Sequence, residues 1–568
     1  MYFNDFINYL NSLHNASGNN KNAIAENQIL NNFYSDIMVK RPLGDFLLNK
    51  LKEENLTIIL TGHAGDGKTS LLYQLLKSIG EIKEKTPLEK FATVTLDNKP
   101  LMYIKDMSEL DRQEQNSLME KGLETSLIYG SSIIISNTGP LIRVLKEVLN
   151  KEDIENDILE RMDLNDGKFL KNIPYKIMII NIAKLDNTDF IYEFLKNISQ
   201  NKFLEDIEDN HKNSFIFNNL KLINENLYKV SSFITNFYRN AYERGDRFTL
   251  RQIIAHITYS ITCNYNLENS FNKDFLYHNI FNNFFGYNGD SINNDAKQIK
   301  GIEKLISMNL DGKKIYKEDY IFIDSSFDNF IDSLNIKDYW VKQLNNSVDS
   351  TREEIFEKSK ISRKFIRRAL FFFNNFNKEE EISFYNSIFS NNFSMYIDSK
   401  YNCDFPIKEK NELEKIIKEG LFKLYTGFTM KRENSIYLTL KRDGEYIQNI
   451  QLILGELDKR KVKIIHDIKK DLFNNRDFGH LFINLKDTNT KIPLNLPIIE
   501  YFTNLKNGII NTNVDPQLNN GIDKIKFKIL NLYKYDEDEN MQFLILTNKG
   551  SKVIEMTIDN DENTIIVD

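Results

Sequence analysis

The pattern of apolar positions changes several times along the chain. Up to about Glu54 they recur at helical spacing, interrupted by a polar stretch from Asn15 to Asn22. Leu56-Thr57-Ile58-Ile59-Leu60 is then a short, unbroken, β-branched run that ends in a glycine-rich loop. Helical spacing resumes from Thr69 to Ile79 through Leu71, Leu72, Leu75 and Leu76. Further strand-like runs lie at Leu101 to Asp106, at Ser131 to Asn137 around Ile133-Ile134-Ile135, and at Lys176 to Ile182. Helical stretches separate them, one within Met107 to Gly130 and one that Gly139-Pro140 opens and that runs through Leu149. Strands alternating with helices predict an α/β fold whose parallel sheet is covered on both faces.

From 187 to 264 the pattern is helical and ends in Arg247 to Ile257, which suits a small lid over the core. Residues 265 to 420 read as mostly helical. Beyond them Ser435 to Lys441, Ile525 to Leu532, Gln542 to Thr547 and Lys552 to Ile558 alternate and predict strands. A chain of 568 residues has room for several cores.

The loop after the first strand, Gly62-His63-Ala64-Gly65-Asp66-Gly67-Lys68-Thr69, matches the phosphate-binding pattern G-x-x-x-x-G-K-[ST] in full. A backbone must curl tightly to aim successive N–H groups at one phosphate, and Gly62, Gly65 and Gly67 supply that freedom. Lys68 is placed to neutralise the β- and γ-phosphates, and Thr69 offers its hydroxyl to Mg2+. Ser70 follows in the first helical turn, whose N-terminus adds partial positive charge. His63, Ala64 and Asp66 belong to the loop but fill its variable positions. ATP and Mg2+ are the ligands this arrangement predicts.

The predicted organisation is therefore a P-loop NTPase core with flanking modules: an N-terminal helical segment (1–54), the core (55–190), a helical lid (191–270), a mostly helical domain (271–420) and a C-terminal β-rich domain (421–568). A second acidic group must serve the Mg2+, normally from a strand beside the loop's own strand. Asp106 ends such a run, with Glu109 as the candidate to polarise an attacking water. Asp106 and Ser108 could equally form a helix-capping turn. Asn137 ends the Ile133 to Ile135 run, where it either touches a γ-phosphate or merely stops the strand. Arg247 and Arg251 are four apart, so on one helix they share a face from which either could reach the nucleotide or merely form a solvated salt bridge.

Composition narrows the class. Only Cys263 and Cys403 are present, which argues against a disulfide framework or a cysteine metal site and suits a reducing cytoplasm. The start, Met1-Tyr2-Phe3-Asn4-Asp5, lacks a secretory signal's basic residues, and no apolar run is long enough to span a bilayer. The formal net charge of −7 means that contact with nucleic acid would need a local basic patch. One candidate is a helix from Ser350 to Phe373, capped by Ser350 and Glu353. Lys360, Arg363, Lys364, Arg367 and Arg368 would share one face of it, with Ile361, Phe365, Ile366 and Ala369 opposite. Lys459-Arg460-Lys461 with Lys463 is a second cluster.

The loop at 62–69, Ile104-Lys105-Asp106-Met107-Ser108-Glu109, Ser136-Asn137-Thr138-Gly139-Pro140-Leu141 and Thr249-Leu250-Arg251 together resemble the DptF family, the ATPase component of DNA phosphorothioation-dependent restriction. The resemblance spans about the first 270 residues. It implies a bacterial defence subunit that uses ATP, works with partner proteins and acts, directly or through them, on DNA lacking the sulfur modification, with cutting left to a partner. Two other classes remain open from the residues alone. One is a nucleotide-controlled signalling or assembly switch, which would change its oligomeric state with nucleotide. The other is a small-molecule kinase, disfavoured by the length of the chain.

Overall fold

The computed structural model describes the chain except for residues 1, 15–27, 84, 206, 272, 276, 313–350, 441–447, 487–489, 510–515, 533–539, 548–549, 560–563 and 568. The polar stretch from Asn15 to Asn22 and the proposed cap Ser350 therefore lie outside the described residues. The chain divides into two units, one of Met1–Tyr242, Asp246–Asn377 and Leu472–Asn475, the other of Glu243–Gly245, Lys378–Asp471 and Arg476–Asp568.

The first unit opens with α1 (Tyr2–Leu13), α2 (Tyr34–Ile37) and α3 (Pro42–Glu53). Its sheet is built from β1 (Thr57–Thr61), β2 (Phe91–Leu96), β3 (Lys99–Ile104), β4 (Ser131–Ile135) and β5 (Ile177–Asn181) in the order β2-β3-β4-β1-β5. Strands β3, β4, β1 and β5 are parallel, whereas β2 runs antiparallel along the β3 edge. All five residues of β1, β4 and β5 are buried, whereas β3 starts exposed at Lys99. This corrects the expected placement of the Asp106 strand beside β1: the wholly buried β4 takes that position and β3 lies one strand further out.

One element, β2, departs from the periodicity reading for a local reason. Strand β2 alternates between exposed and half-buried positions, and Asp97 and Asn98 join it to β3 with φ of 47° and 64°, the left-handed pair a tight hairpin requires. The stretch after β3 is a single 3-10 turn, Met107–Glu109, before α5 (Arg112–Ile128), whose start Asp111 and Glu114 seal with a reciprocal capping box.

Period-two alternation splits the strands between two cores. Ile58, Leu60, Tyr103, Ile133 and Ile135 face α3 and α4 (Lys68–Ser78). Ile59, Met102, Ile104, Ile134 and Ile179 face α5, α6 (Thr138–Leu149) and α7 (Ile154–Leu164). Helices α8 (Phe190–Ile198), α9 (Phe215–Glu225), α10 (Leu227–Glu243) and α11 (Leu250–Thr262) follow. Beyond them come α12 (Leu267–Ser270), α13 (Ile280–Phe284), a short hairpin of β6 (Tyr287–Asn288) and β7 (Ser291–Ile292), α14 (Lys300–Met308) and α15 (Arg352–Phe373).

Helix α15 is capped by Thr351 and Glu354, one residue later than the pair expected from the sequence. Its basic residues do not form one solvent-facing stripe. Apolar residues surround its last turns, and Arg367 and Arg368 are buried among them. A buried guanidinium must be paired. Arg367 donates to the Asp311 carbonyl at 3.0 Å, while Arg368 donates to the Asp311 carboxylate at 2.6 Å and to Asn282 Oδ1 at 2.9 Å and stacks on Tyr287. Lys360 is exposed and Arg363 and Lys364 are half-buried.

The second unit begins with α16 (Lys378–Ile388), α17 (Phe393–Tyr401) and α18 (Ile407–Thr426). Strands β8 (Ser435–Leu440), β9 (Ile450–Asp458), β10 (Val462–Asp471), β11 (Arg476–Leu485) and β12 (Thr490–Pro493) come next, then α19 (Leu496–Lys506) and α20 (Pro516–Leu532). Strands β13 (Asn540–Thr547), β14 (Gly550–Asp559) and β15 (Thr564–Val567) end it. They form two antiparallel sheets, β10-β11-β12 and β15-β14-β13-β9-β8. The expected strand from Ile525 to Leu532 is a helix. Its I-K-F-K-I alternation masks a helical face, since Ile525 and Ile529, four apart, are buried while Phe527 between them is exposed. In the second basic cluster Arg460 pairs with Asp458 and Lys463 with Glu414. Among the described residues no helix is long and apolar enough to cross a membrane.

Three buried histidines of the first unit couple its stability to pH. His256 Nε2 donates to the Phe284 carbonyl at 2.8 Å and its Nδ1 accepts from Tyr238 Oη at 2.7 Å, so the ring is held neutral. Burial lowers His14, His256 and His278 to about 4. The unfolded chain, with ordinary values near 6.5, takes up protons that the fold refuses, so the stabilisation is complete above about 6.5 and is lost as pH falls towards 4. We expect the unfolding midpoint to fall between pH 6.5 and 5, and a His256→Gln variant, which can still donate to Phe284 and accept from Tyr238, to show a shallower slope. Parallel slopes would contradict this role for His256.

Candidate functional site

Because β1, β3, β4 and β5 are parallel, the loops after them emerge along one edge of the sheet, the edge at which open α/β sheets form binding crevices. Gly62 follows β1, Asp106 follows β3 by two residues, Asn137 follows β4 by two, and Ile182 follows β5. The residues predicted from separate motifs thus converge by topology.

The glycine-rich loop turns from β1 into α4. Gly62 and Gly65 hold φ of 147° and 90°. A Cβ on Gly62 would lie 3.0 Å from Asp66 Oδ2 and 3.2 Å from the Ala183 nitrogen; on Gly65 it would lie 3.0 Å from Arg251 Cβ and 3.2 Å from Thr249 Oγ1. Glycine is required at both places by conformation and by space. Lys68 folds back over the loop, its Nζ donating to the carbonyls of Gly62 and His63, both at 2.9 Å. Helix α4 starts at Lys68 without a side-chain cap, so its first-turn amides receive no acceptor from the Gly67 position.

Two other segments hold the loop from outside. The Arg251 amide, in the first turn of α11, donates to the Gly65 carbonyl at 3.1 Å. Arg41 Nη1 donates to the Asp66 carbonyl at 3.1 Å, and its Nη2 to Asn187 Oδ1 at 3.3 Å. A trans peptide sets C=O and N–H on opposite sides, so tying back the Asp66 carbonyl turns the Gly67 amide away from Arg41. The Asp66 side chain is fully buried. Its Oδ2 accepts from the His63 amide at 2.8 Å, and its Oδ1 lies 2.9 Å from Arg247 Nη2.

In front of the loop is a cavity of about 370 Å3. His63, Ala64, Gly65, Gly67, Lys68, Thr69 and Ser70 line one side, and Asp106, Glu109, Asn137 and Arg251 also line it. Gly62 and Asp66 do not; they shape the loop from behind. The cavity extends into an apolar compartment bounded by Tyr34, Val39, Phe190, Phe194 and Ile254. Burial lowers Lys68 from its ordinary range while Asp66 and Asp106 pull it back up, and burial likewise lowers Arg251. Arg41 is lowered to about 10 by burial, with Asp66 opposing and Arg247 adding to the fall.

Several assignments change in detail. Asp106 Oδ1 accepts from Ser108 N at 2.9 Å and Ser108 Oγ at 2.7 Å, so the capping turn weighed from the sequence is present, on a residue that also lines the cavity. Glu109 pairs with Lys105 at 3.1 Å. Asn137 occupies the N-cap position of α6 but its side chain makes no capping bond. Arg247 and Arg251 do not share a helix face: Arg247 precedes α11, which starts at Leu250 behind the Thr249–Gln252 capping box. Arg247 instead meets Asp66, so Asp66 has a structural partner despite filling a variable position. Arg41 and Asn187 were not identified from the sequence, and no motif marks either.

Chemically, the uncapped start of α4 beside an ammonium and a guanidinium on the cavity wall is a setting that favours a multiply charged anion. Thr69 and Asp106, which both line the cavity, carry oxygens of the kind hard cations prefer. Among the described residues no group of three His, Cys, Asp or Glu is positioned to hold a metal alone. Comparison of the chain with family models, with curated proteins and with solved structures gave no match.

The docking of α11 on Gly65 can be tested without any ligand. Gly65→Ala would press on Arg251 and Thr249, so the amides of Arg251 to Ile254 should exchange hydrogen faster in a chain whose sheet remains protected. Unchanged exchange in this first turn of α11 would show that the contact does not hold the helix.

Proposed function

We propose that the chain is a P-loop ATPase that binds ATP with Mg2+ in the cavity before residues 62–69 and hydrolyses it. The observation that carries the reading is the convergence, on one sheet edge, of the curled glycine loop and Lys68 with Asp106, Glu109, Asn137 and Arg251. The residues fit the ligand. Amides of the loop and of the first turn of α4 would receive the phosphates, and Lys68 would exchange its two carbonyl partners for phosphate oxygens. Thr69 and Asp106 would hold Mg2+ or its waters; when bound, Mg2+ supplies charge neutralisation on the phosphates. Glu109, once released from Lys105, would accept the proton of an attacking water, and Asn137 and Arg251 would orient the terminal phosphate.

On the resemblance to the DptF family, we propose that this activity serves a bacterial DNA restriction complex that acts, with partner subunits in the cytoplasm, on DNA without phosphorothioate protection. The observation favouring the second reading, a nucleotide-controlled assembly switch, is the direct seating of the α11 N-terminus on the loop. Oligomeric state with and without nucleotide, read by sedimentation, separates the two, since only a switch requires it to change.

The tests are direct. Calorimetry should detect Mg·ATP binding by the full chain, and Lys68→Ala should weaken it at least about tenfold, equivalent to about 1.4 kcal/mol. Equal uptake by both proteins would reject the site. Glu109→Gln should retain binding but slow hydrolysis about 100-fold, within the range of general-base losses; unimpaired turnover would remove Glu109 from the mechanism. A hydrolysis rate indifferent to DNA, modified or not, and to every co-encoded protein would count against the restriction role.

A further inference from the structure

A carboxylate inside a phosphate-binding loop is electrostatically paradoxical. Asp66 is fully buried within the loop, where solvent cannot screen it, yet its Oδ2 orders the loop by accepting the His63 amide. Arg41, a second guanidinium whose charge Asp66 also senses, makes its hydrogen bonds to the Asp66 carbonyl and to Asn187 rather than to the carboxylate. The cation on the carboxylate itself is Arg247, whose Nη2 lies 2.9 Å from Oδ1 and 3.4 Å from the Ile182 carbonyl.

We infer that Arg247 is a charge-compensating positioning residue: by neutralising Asp66 it permits the loop to accept phosphate anions, and it makes that acceptance depend on the segment that enters α11. The inference rests on the nucleotide reading above and adds a residue that would not touch the nucleotide. Without Arg247 the Asp66 carboxylate would repel the phosphates and compete with them for Lys68, whose ammonium already senses it. Arg247 lies in the irregular link between α10 and α11, two residues before Thr249, and α11 is seated on Gly65 through the Arg251 amide. A displacement of α11 that drew Arg247 off Asp66 would therefore lower the loop's affinity for anions at the same time. Asp66 serves as the loop's internal brace, and Arg247 is the condition under which that brace is compatible with its ligand.

The test is a charge-rescue cycle on the full chain, with wild type, Arg247→Gln, Asp66→Asn and the double variant measured by calorimetry against Mg·ATP, Mg·ADP and adenosine. Arg247→Gln should lose at least about tenfold in Mg·ATP affinity, less for Mg·ADP and nothing for adenosine, because the repulsion scales with ligand charge. Asp66→Asn keeps an oxygen for the His63 amide and should restore the double variant to within about threefold of wild type. Arg247→Lys, which retains the charge, should bind Mg·ATP better than Arg247→Gln. Undiminished binding by Arg247→Gln would overturn the inference, as would a double variant no better than Arg247→Gln. If Arg247→Gln does not fold, the double variant against Asp66→Asn decides, since a tenfold difference between those two would place the role of Arg247 elsewhere. A wild-type chain that takes up no Mg·ATP would instead reject the nucleotide reading on which the inference stands.

Discussion

A glycine-rich turn can present its amides on one side only if something else holds its carbonyls on the other. Here that constraint is met from outside the loop as well as within it. Lys68 takes the carbonyls of Gly62 and His63, the Arg251 amide takes that of Gly65, and Arg41 takes that of Asp66. The loop's shape therefore depends on the segment before α3 and on the start of α11, both far from it in sequence. Its conformation is a tertiary property, although its pattern is local.

The sheet provides the second level of organisation. Four parallel strands bring their C-terminal ends to one edge, so residues separated by more than 180 positions, from His63 to Arg251, border one cavity. The order β3-β4-β1-β5 sets Asn137 nearest the loop's own strand and Asp106 one strand beyond. The apolar compartment beyond the loop, bounded by Tyr34, Val39 and Phe194, gives the same cavity a poorly hydrated end suited to a flat organic group.

The parts of the molecule legible in the sequence were those encoded by local pattern. The runs at Ile58 to Leu60, Ile133 to Ile135 and Ile177 to Ile180 could be read because a buried parallel strand is apolar on both faces. Strand β2 was passed over because Phe91 to Leu96 is an edge strand with mixed exposure, although its alternation and the Asp97-Asn98 turn were available signals. Alternation misled at Ile525 to Leu532, where Ile525 and Ile529 are also one helical turn apart and burial decides between the two periods. Arg367 and Arg368 read as surface charge because nothing local reveals that Asp311 and Asn282 will meet them. The same holds for Arg41, Asp66 and Arg247, whose contacts depend on chain crossings that no spacing rule encodes.

Whether residues 62–69 form the proposed triphosphate socket is decided by an experimental structure of the full chain with magnesium and a non-hydrolysable ATP analogue. Phosphate oxygens should lie within hydrogen-bond distance of the amides of Gly67, Lys68 and Thr69, with the Lys68 ammonium moved from the Gly62 and His63 carbonyls onto them. An analogue bound elsewhere, or a loop that keeps Lys68 on its own carbonyls at saturating analogue, would contradict the account.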